Sequence, residues 1–520
     1  MTDRSASTQI GAKKRVSSNA LSYMAGQAAM AVFGFVSGVV LARYLPKHTF
    51  GQYSYLLALA ILFLPLLDLG SHSLYTTRAA RDRANIGVYW ARALALKIYA
   101  LPILGILLAG YFIVVSHALG GLFWTVLFYI AAQSLLLSTD IVFRAAEQGR
   151  AWAIRRTIYE TISLVLILAA VTILDAKTAA SLLLFASIAV ALAAAWAAAA
   201  SVRMTGLTRA QFVSALREPL RRDEIKALLP FAVSTLLWVL FYRETNILLE
   251  YLGTRIDLAD YRVAFLVMTA ALYLPRAVTW ASVPRIALHH AELDDGAFRA
   301  MMSKAVRANF YIAAFVVTAG ALYGERLIGL AFGPKYMHLG VIWQVFNLLL
   351  GAMFVLQFCM DLLNALHQEK RLAYALVGGI VVLTGLDLLA IPHYGTAGGA
   401  AAQLAACLAI LPVSLVPFVR WVRPAAALKP ALKLVAVVVI CGAAGFALRK
   451  ASFYLSLAAF VPLFAAVSHM LGAMPQPIAR PLWRLLRLLR IGLAETAGAS
   501  PLAADLRDAQ AAATQPASRP

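Results

Sequence analysis

Long apolar segments alternate with short polar ones along almost the entire chain. Each apolar segment holds roughly 20 residues, which is the length an α-helix needs to cross a bilayer. The pattern therefore predicts an all-α, polytopic membrane protein with about fourteen transmembrane helices. The segments are too long and too apolar for the strands of a membrane barrel. We place the predicted helices at 20–42, 53–75, 89–115, 121–144, 154–174, 179–202, 227–249, 259–284, 306–331, 339–363, 372–392, 398–419, 431–448 and 452–472.

One helical hairpin near the N-terminus recurs in the second half of the chain. The corresponding residues are Tyr44 and Tyr251, Tyr53 and Tyr261, and Pro65 and Pro275, separated by 207, 208 and 210 positions. Such a constant spacing indicates an internal duplication. We predict two parallel six-helix lobes, at 19–203 and 226–420, facing each other across a central cleft. A transporter binds its substrate in such a cleft.

The segments outside the two lobes have different predicted roles. Residues 204–225 form an amphipathic cytoplasmic linker, and 430–472 form an accessory pair, helices 13 and 14. The basic, leucine-rich segment 478–493 is predicted to be a helix on the membrane surface. The polar ends of the chain, 1–18 and 494–520, are predicted to be disordered.

Composition and charge agree with a membrane protein. Only 13% of the 520 residues are charged, and mean hydropathy is +0.77, whereas soluble chains hold about 25% charged residues. The net charge is +22, but its distribution argues against a nucleic-acid partner. Loops on the predicted cytoplasmic side hold 30 Lys and Arg, and those on the opposite side hold 9. This asymmetry is the positive-inside pattern, with both termini cytoplasmic. Three scattered cysteines in predicted spans give no sign of a metal site, disulfide or cofactor.

Three of the cations inside predicted spans stand out by their depth or by their lack of a clear partner, and a charge at the centre of a span costs at least about 2.5–3.5 kcal/mol. Arg243 has two carboxylates close by in sequence, Glu244 and Glu250, so it is either neutralised by one of them or faces a ligand. Arg276 has no carboxylate within one turn, which favours an anionic ligand. Lys97 lies about 13 Å into its helix and either reaches back to the interface or lines a cavity.

The acidic residues within spans divide into paired and unpaired ones. Asp140 and Arg144 are four residues apart and are predicted to form a structural ion pair. A local pair is also the simpler interpretation of Glu160, one turn after Arg156. Asp387 is deep in its span and has no local partner, which makes it a candidate for ion coupling.

Four short motifs, in the same order, resemble those of Wzx-type lipid-linked oligosaccharide flippases. These proteins belong to the multidrug/oligosaccharidyl-lipid/polysaccharide exporter superfamily. The resemblance covers roughly residues 18–472, and Pro46 stands where the family commonly has glycine. The motifs are LAR at 41–43 with FGQY at 50–53, DLG at 68–70 followed by Arg78, FGPKY at 332–336, and YGTAGGA at 394–400.

The resemblance implies a flippase in the bacterial cytoplasmic membrane. It would move an undecaprenyl-diphosphate-linked oligosaccharide from the inner to the outer leaflet, for O-antigen, exopolysaccharide or capsule export. It would act as a monomer, with a polysaccharide polymerase or export machinery as partner. For any single aromatic residue, packing remains the simpler role. The residues expected to bind the diphosphate are Arg243, Arg276 and Lys97, and those expected to contact sugars are Tyr242, Tyr273 and Trp280.

Three alternatives remain at this point. A drug exporter or peptidoglycan-precursor flippase would have the same topology with different cavity chemistry. A membrane polymerase, ligase or glycosyltransferase would need an ordered outer loop, but the predicted outer loops are short and hold no clustered carboxylates or histidines. We therefore expect no enzymatic activity. A scaffold protein would not need unpaired cations within its spans.

Overall fold

The computed structural model describes residues 2–475 with eight gaps, and for some residues it describes the backbone alone. The gaps are 117–119, 175–176, 277–278, 280–281, 283–285, 287–294, 367 and 422–423. The backbone-only residues are 2–21, 23, 115–116, 295, 369, 418–421, 424–427 and 450–451. The predicted surface helix 478–493, the tail 494–520 and Trp280 lie outside the described residues.

Helices make up nearly all of the described chain, and no strand occurs in it. The first eight belong to the N-terminal lobe (N-lobe). They are α1 (Thr2–Tyr44), α2 (Lys47–Asp68), α3 (Ser71–Arg81), α4 (Ile86–Ser116), α5 (Gly121–Ser138), α6 (Asp140–Ala145), α7 (Gly149–Thr172) and α8 (Ala179–Thr205).

A short linker helix leads to the C-terminal lobe (C-lobe), which α10 to α14 form, and two accessory helices follow. A 3₁₀ helix, Pro334–Leu339, connects α12 to α13. These helices are α9 (Arg209–Arg217), α10 (Arg222–Leu252), α11 (Arg255–Ala271), α12 (Asp295–Phe332), α13 (Gly340–Ala365), α14 (Glu369–Trp421), α15 (Pro424–Ala451) and α16 (Phe453–Met470).

Twelve helical segments of the described chain are long and apolar enough to cross a membrane. One of them, 370–417, is broken at Gly395, where φ is 50° and ψ is −125°, so it supplies two spans. A side chain is strained at this positive φ, which glycine tolerates. Helix α7 is not among the twelve because its charged residues lower its hydropathy, yet it packs between α1 and α8. The prediction of an all-α polytopic protein with about fourteen spans is confirmed.

Residues 2–18 belong to the polar segment for which we predicted disorder, and in the structure they are part of helix α1, which begins at Thr2. Adding residues to an existing helix costs far less than nucleating a new one. The apolar part of α1 provides the nucleus, and the polar segment extends it.

The two lobes meet through equivalent helices of the duplicated hairpin. Helix α2 packs along both α10 and α11, and α1 packs along α11. The crossing of α2 and α11 is very close: a Cβ on Gly51 would lie 2.1 Å from the carbonyl oxygen of Arg255. Because that neighbour is backbone, only glycine fits there without moving a helix.

Polar contacts bind the lobes together at one end of the molecule. We call it the turn end, because the α1–α2 and α10–α11 turns meet there with the 3₁₀ helix 334–339. Lys47 Nζ lies 2.7 Å from Asp260 Oδ1, and His338 Nε2 lies 2.6 Å from Asp260 Oδ2. Lys335 Nζ donates to the carbonyl oxygen of Leu45 at 2.7 Å. The cleft is therefore closed at the turn end.

Three tyrosine hydroxyls add to this closure. Those of Tyr55 and Tyr111, in the N-lobe, lie 2.8 Å apart, and each is 2.5 Å from the hydroxyl of Tyr251 in the C-lobe. The three residues come from α2, α4 and α10. One small hydrogen-bonded cluster thus connects three helices across the interface between the lobes.

The linker forms a second junction at the opposite end, which we call the linker end. Thr208 caps α9 in a capping box with Gln211. Arg92 of α4 donates to the carbonyl oxygens of Ala215 and Pro219, at 3.0 and 2.9 Å, and pairs with Glu224 of α10 at 2.8 Å. Helix α9 and the first turn of α10 are thereby fixed to the N-lobe.

The accessory helices α15 and α16 pack against α12 on the outside of the C-lobe. Their contact centres on buried aromatic residues, with the ring centroids of Tyr323 and Phe460 5.5 Å apart. The Tyr323 hydroxyl donates to the carbonyl oxygen of Ser456 at 3.1 Å. The pair therefore adds no side chain to the interface between the lobes described above.

Candidate functional site

Arg243, near the middle of α10, is the first cation of the space between the lobes. Its guanidinium carbon lies 5.8 Å from the centre of the Phe265 ring. It makes no hydrogen bond or ion pair with any described residue. The two carboxylates that might neutralise it are engaged elsewhere: Glu244 accepts a hydrogen bond from Thr384, and Glu250 pairs with Arg255 at 2.9 Å. The charge of Arg243 is therefore left for the cavity.

Arg262 of α11 is a second cation, within electrostatic range of Arg243. Its charge acts on Arg243 and on the tyrosines Tyr53 and Tyr129 of the N-lobe. Within the described chain it too has no hydrogen bond or ion pair. Two guanidiniums brought together without an anion are unfavourable, and such an arrangement is typical of a functional site. Arg262 lies inside the predicted span 259–284 but was not among the residues that we expected to bind the diphosphate.

Arg276 follows α11 towards the linker end. Its guanidinium lies 5.3 Å from the centre of the Tyr273 ring. Its charge acts on Asp361 of α13, but the two form no ion pair in the described structure. Asp361 instead accepts a hydrogen bond from Gln357 at 3.0 Å. Arg276 thus resembles Arg243 and Arg262 in having no direct partner among the described residues.

Arg156 adds a cation from the N-lobe. It lies on α7, with Nε 3.1 Å from Met30 Sδ. Its guanidinium lies 5.7 Å from the ring of Tyr159. The expected ion pair between Arg156 and Glu160 does not form in the described structure. The reason is geometric: the guanidinium packs against Met30 and Tyr159 instead.

Lys97 and Asp140 belong to buried ion pairs within the N-lobe. Lys97 Nζ donates to Asp68 and, at 3.0 Å, to Ser134 Oγ. Asp140 has Arg144 at 3.9 Å, but its close partner is the fully buried Arg155. Both groups therefore hold the N-lobe together, and Lys97 has no free charge in this conformation.

The aromatic residues expected to contact sugars have different surroundings. The Tyr242 ring packs 4.7 Å from that of Trp238, and its hydroxyl lies 3.8 Å from Met353 Sδ. Tyr242 is thus part of the packing between α10 and α13. Tyr273 lies beside Arg276, with its ring towards the guanidinium.

Asp387, on α14, is fully buried and faces α10. Its Oδ2 accepts a hydrogen bond from Thr245 at 2.8 Å, while its Oδ1 has no partner. Glu244, next to Thr245, likewise has one oxygen, Oε2, without a hydrogen-bond partner. The side-chain amide oxygen and nitrogen of Asn246 also have no partner. No Lys or Arg side chain of the described chain pairs with either carboxylate. A buried carboxylate without a counter-charge needs a proton or a cation.

Comparisons with known proteins agree with this architecture. Comparison with curated protein sequences finds no match. Among solved structures, the chain is similar to the lipid II flippase MurJ in an inward closed conformation, with a TM-score of 0.66 and 11% identity over 87% of this chain and 98% of that one. It is also similar to a MOP superfamily transporter from Pyrococcus furiosus, with a TM-score of 0.55 and 14% identity over 79% and 95%.

The chain is similar as well to a MATE family multidrug resistance transporter in an outward-facing conformation. The TM-score is again 0.55, with 14% identity over 79% of this chain and 95% of that one. At these identities the comparisons show that the chain shares the fold of these three proteins. The family model described as polysaccharide biosynthesis protein matches residues 16–289, which is more than half of the chain. The protein therefore belongs to the polysaccharide biosynthesis protein family.

Proposed function

We propose that the protein is a flippase for an undecaprenyl-diphosphate-linked oligosaccharide. It moves this lipid from the inner to the outer leaflet of the bacterial cytoplasmic membrane, for export of a surface polysaccharide. The observation that carries the proposal is the group Arg243, Arg262 and Arg276. Arg243 and Arg262 are within electrostatic range of Tyr129 of the N-lobe, Arg276 packs against Tyr273, and none of the three has an ion-pair partner among the described residues.

The chemistry of the substrate fits this cavity. A diphosphate is compact and strongly anionic, and the planar guanidinium donates two parallel hydrogen bonds to phosphate oxygens. The prenyl tail remains in the bilayer while the polar head passes between the lobes. A membrane potential of 100 mV, inside negative, favours outward movement of an anionic head by about 2.3 kcal/mol per charge.

The conformation fits the inward-facing half of an alternating-access cycle. With both termini cytoplasmic, as the charge asymmetry predicts, the turn end lies outside the cell. There Lys47, Asp260 and His338 close the cleft. Release of the substrate then requires these contacts between the lobes to break. We propose that a monomer carries out this cycle and that a polysaccharide polymerase uses the exported lipid.

Asp387 is the proposed ion-coupling residue, and the structure adds Glu244 beside it. Both carboxylates are buried, and each has one oxygen without a partner. Binding of a proton or a sodium ion would satisfy them. Lys97 is not part of the proposed diphosphate site because Asp68 already neutralises it. Tyr242 packs in the C-lobe, so we also leave it out of the sugar site.

Flipping in liposomes tests the proposal directly. Purified protein is reconstituted with a labelled prenyl-diphosphate oligosaccharide, and enzymatic access from outside measures outer-leaflet sugar. We expect Arg243→Ala and Arg262→Ala each to lower the flipping rate about tenfold or more, since each removes a charge-assisted contact. Arg326→Ala is the matched control, because Arg326 packs on Phe453 of the accessory pair.

The outcomes separate the alternatives. Unchanged flipping in both cavity variants would rule out the proposed diphosphate site. Transport of a cationic drug without flipping would make the protein a drug exporter, and flipping of lipid II in preference would make it a peptidoglycan-precursor flippase. Sugar transfer without flipping would support a polymerase or ligase. The cationic cavity favours an anionic substrate over a cationic drug.

A further inference from the structure

A cavity of about 360 Å³ lies at the linker end, between α4 and the linker segment 216–220. The wall on α4 is the helix face that carries Arg92, Leu96 and Tyr99. The Tyr99 hydroxyl donates a hydrogen bond to the carbonyl oxygen of Leu216, and Arg92 donates to that of Pro219 at 2.9 Å. Polar contacts therefore hold the two walls of the cavity together.

Much of the cavity lining is apolar, and it continues as an exposed apolar strip along α4. The strip begins at Tyr99, which lines the cavity and is 53% exposed. Its other members follow at helical spacing on the same face and are 53% to 73% exposed: Ile103, Ile106 and Leu107. This part of α4 belongs to a segment long and apolar enough to cross a membrane. An acyl chain that occupies the cavity can therefore continue along α4 into the hydrocarbon of the bilayer.

The charged residues that line the cavity leave one cation without a partner. Arg92 pairs with Glu224 at 2.8 Å, and Glu218 lies 3.7 Å from Arg221. Arg217, the last residue of α9, makes no hydrogen bond or ion pair with any residue of the described chain, and its side chain is exposed. The cavity thus combines an apolar lining with one unpaired guanidinium.

The linker around the cavity is basic. Residues 203–226 hold six Lys and Arg against three Asp and Glu. Basic segments beside a bilayer attract anionic lipids. With both termini cytoplasmic, as the charge asymmetry predicts, the linker lies at the inner leaflet, whose surface is negative. The charge of the linker and that of its membrane surface are therefore complementary.

We infer that this cavity binds an anionic phospholipid of the inner leaflet. The phosphate contacts the guanidinium of Arg217, whose planar fork donates two parallel hydrogen bonds to phosphate oxygens. One acyl chain packs between Leu96 and Leu220 and follows the strip along α4. A zwitterionic lipid binds more weakly, because its headgroup brings a second positive charge to a basic surface. The bound lipid connects the linker to α4.

Hydrogen exchange of the linker tests this site. Purified full-length protein is placed in nanodiscs of phosphatidylcholine that contain increasing fractions of phosphatidylglycerol with the same acyl chains. We expect phosphatidylglycerol to slow the exchange of the backbone amides in 216–220, because a bound ligand must dissociate before this segment opens. Exchange should be faster in nanodiscs of phosphatidylcholine alone.

Two arginines of α9 provide the variant and its matched control. Arg217→Gln should raise the phosphatidylglycerol fraction needed for half of the protection about fivefold, which is the effect of one basic residue near an anionic membrane surface. Arg209→Gln removes the same charge from the other end of α9, where the side chain is exposed and does not line the cavity. This control should leave the required fraction unchanged. Arg217→Lys keeps the charge and should retain most of the protection.

Three results would overturn the inference. The first is equal protection with and without phosphatidylglycerol. The second is an equal shift for Arg209→Gln and Arg217→Gln, which would mean that the lipid responds to the surface charge in general. The third is protection by soluble glycerol phosphate in phosphatidylcholine nanodiscs, which would make the cavity a site for a free anion. None of these measurements requires flipping, so the result is independent of the proposed function.

Discussion

The two lobes hold several acids of their spans in different ways, although Glu160 of the N-lobe has no ion pair in the described structure and Asp260 of the C-lobe pairs with Lys47. In the N-lobe, Asp68 pairs with Lys97, and Asp140 pairs with Arg155. In the C-lobe, hydroxyls and amides hold Glu244, Asp387 and Asp361, with no ion pair in the described structure. A buried ion pair is sensitive to loss of one member, whereas an unpaired buried acid is costly from the start.

The difference indicates that the two lobes have different roles. Neutralised charges keep the N-lobe helices in fixed positions without requiring a ligand. The C-lobe has unpaired cations on its cavity side and unpaired carboxylates in its interior, and both sets need something from outside the chain. The diphosphate and the coupling ion are thus proposed to bind to the C-lobe.

Arg155→Ala should have the largest effect. It leaves Asp140 buried without its close partner and removes bonds to Thr139 Oγ1 and the Leu136 carbonyl oxygen, both at 2.9 Å. We expect a loss of about 3–5 kcal/mol in the free energy of unfolding, measured by thermal and denaturant unfolding in detergent. Arg144→Ala is the control: its side chain is 43% exposed and 3.9 Å from Asp140, so about 1 kcal/mol or less is expected. Similar losses in both variants would contradict this account.

Lys97 offers a double-variant test of pairing within the N-lobe. Lys97→Met leaves the partly buried Asp68 without its ion-pair partner, and we expect the free energy of unfolding to fall by about 3 kcal/mol. Adding Asp68→Asn should restore at least half of that loss and leave flipping largely intact, because neither residue contacts the substrate in our proposal. If the two substitutions lower the free energy of unfolding additively, the two side chains do not stabilise each other. If the double variant is stable but no longer flips the lipid, Lys97 is part of the diphosphate site after all.

Asp387→Asn should affect function but not folding. The carboxylate is fully buried without a counter-charge in the described structure, so its neutralisation removes a cost of burial. We expect the free energy of unfolding to change by about 1 kcal/mol or less. Acceleration of flipping by an imposed proton or sodium gradient should be lost. Destabilisation as large as that of Arg155→Ala would contradict the contrast between the lobes.

Lys47→Met at the turn end should have the smallest effect on stability. The Lys47 side chain is 19% exposed, and its partner Asp260 also contacts His338. We expect the free energy of unfolding to fall by about 1 kcal/mol or less, as measured by thermal and denaturant unfolding. The substitution should also loosen the closed turn end. We expect a thiol reagent added from outside to label a cysteine at position 129 faster, in a Tyr129→Cys chain whose native cysteines have been replaced. Arg449→Met, which loses only a bond to the Leu322 carbonyl oxygen, should not change the labelling rate.

Hydropathy and internal repetition predicted the fold, because both follow directly from the lipid solvent and the duplicated hairpin. They also pointed to Arg243, Arg276 and Asp387, since isolated charges inside apolar segments need an explanation. Sequence neighbours gave the wrong partner for Glu160, because the rotamer of Arg156 depends on Met30 of a different helix. The pairing of Lys97 with Asp68 likewise joins α4 to the end of α2, which only tertiary packing brings together.

The contact of Gly51 with the Arg255 carbonyl oxygen provides a tool for trapping the transporter. One methyl group at position 51 would act as a wedge between α2 and α11, since the backbone it meets at 2.1 Å cannot rotate aside. Gly51→Ala should therefore shift the population of molecules towards a state opened at the turn end. Spin labels on the two hairpins would show this shift as a longer distance, and an unchanged distance would mean that the crossing yields locally. A stable open form would supply the second state for structural work without any inhibitor.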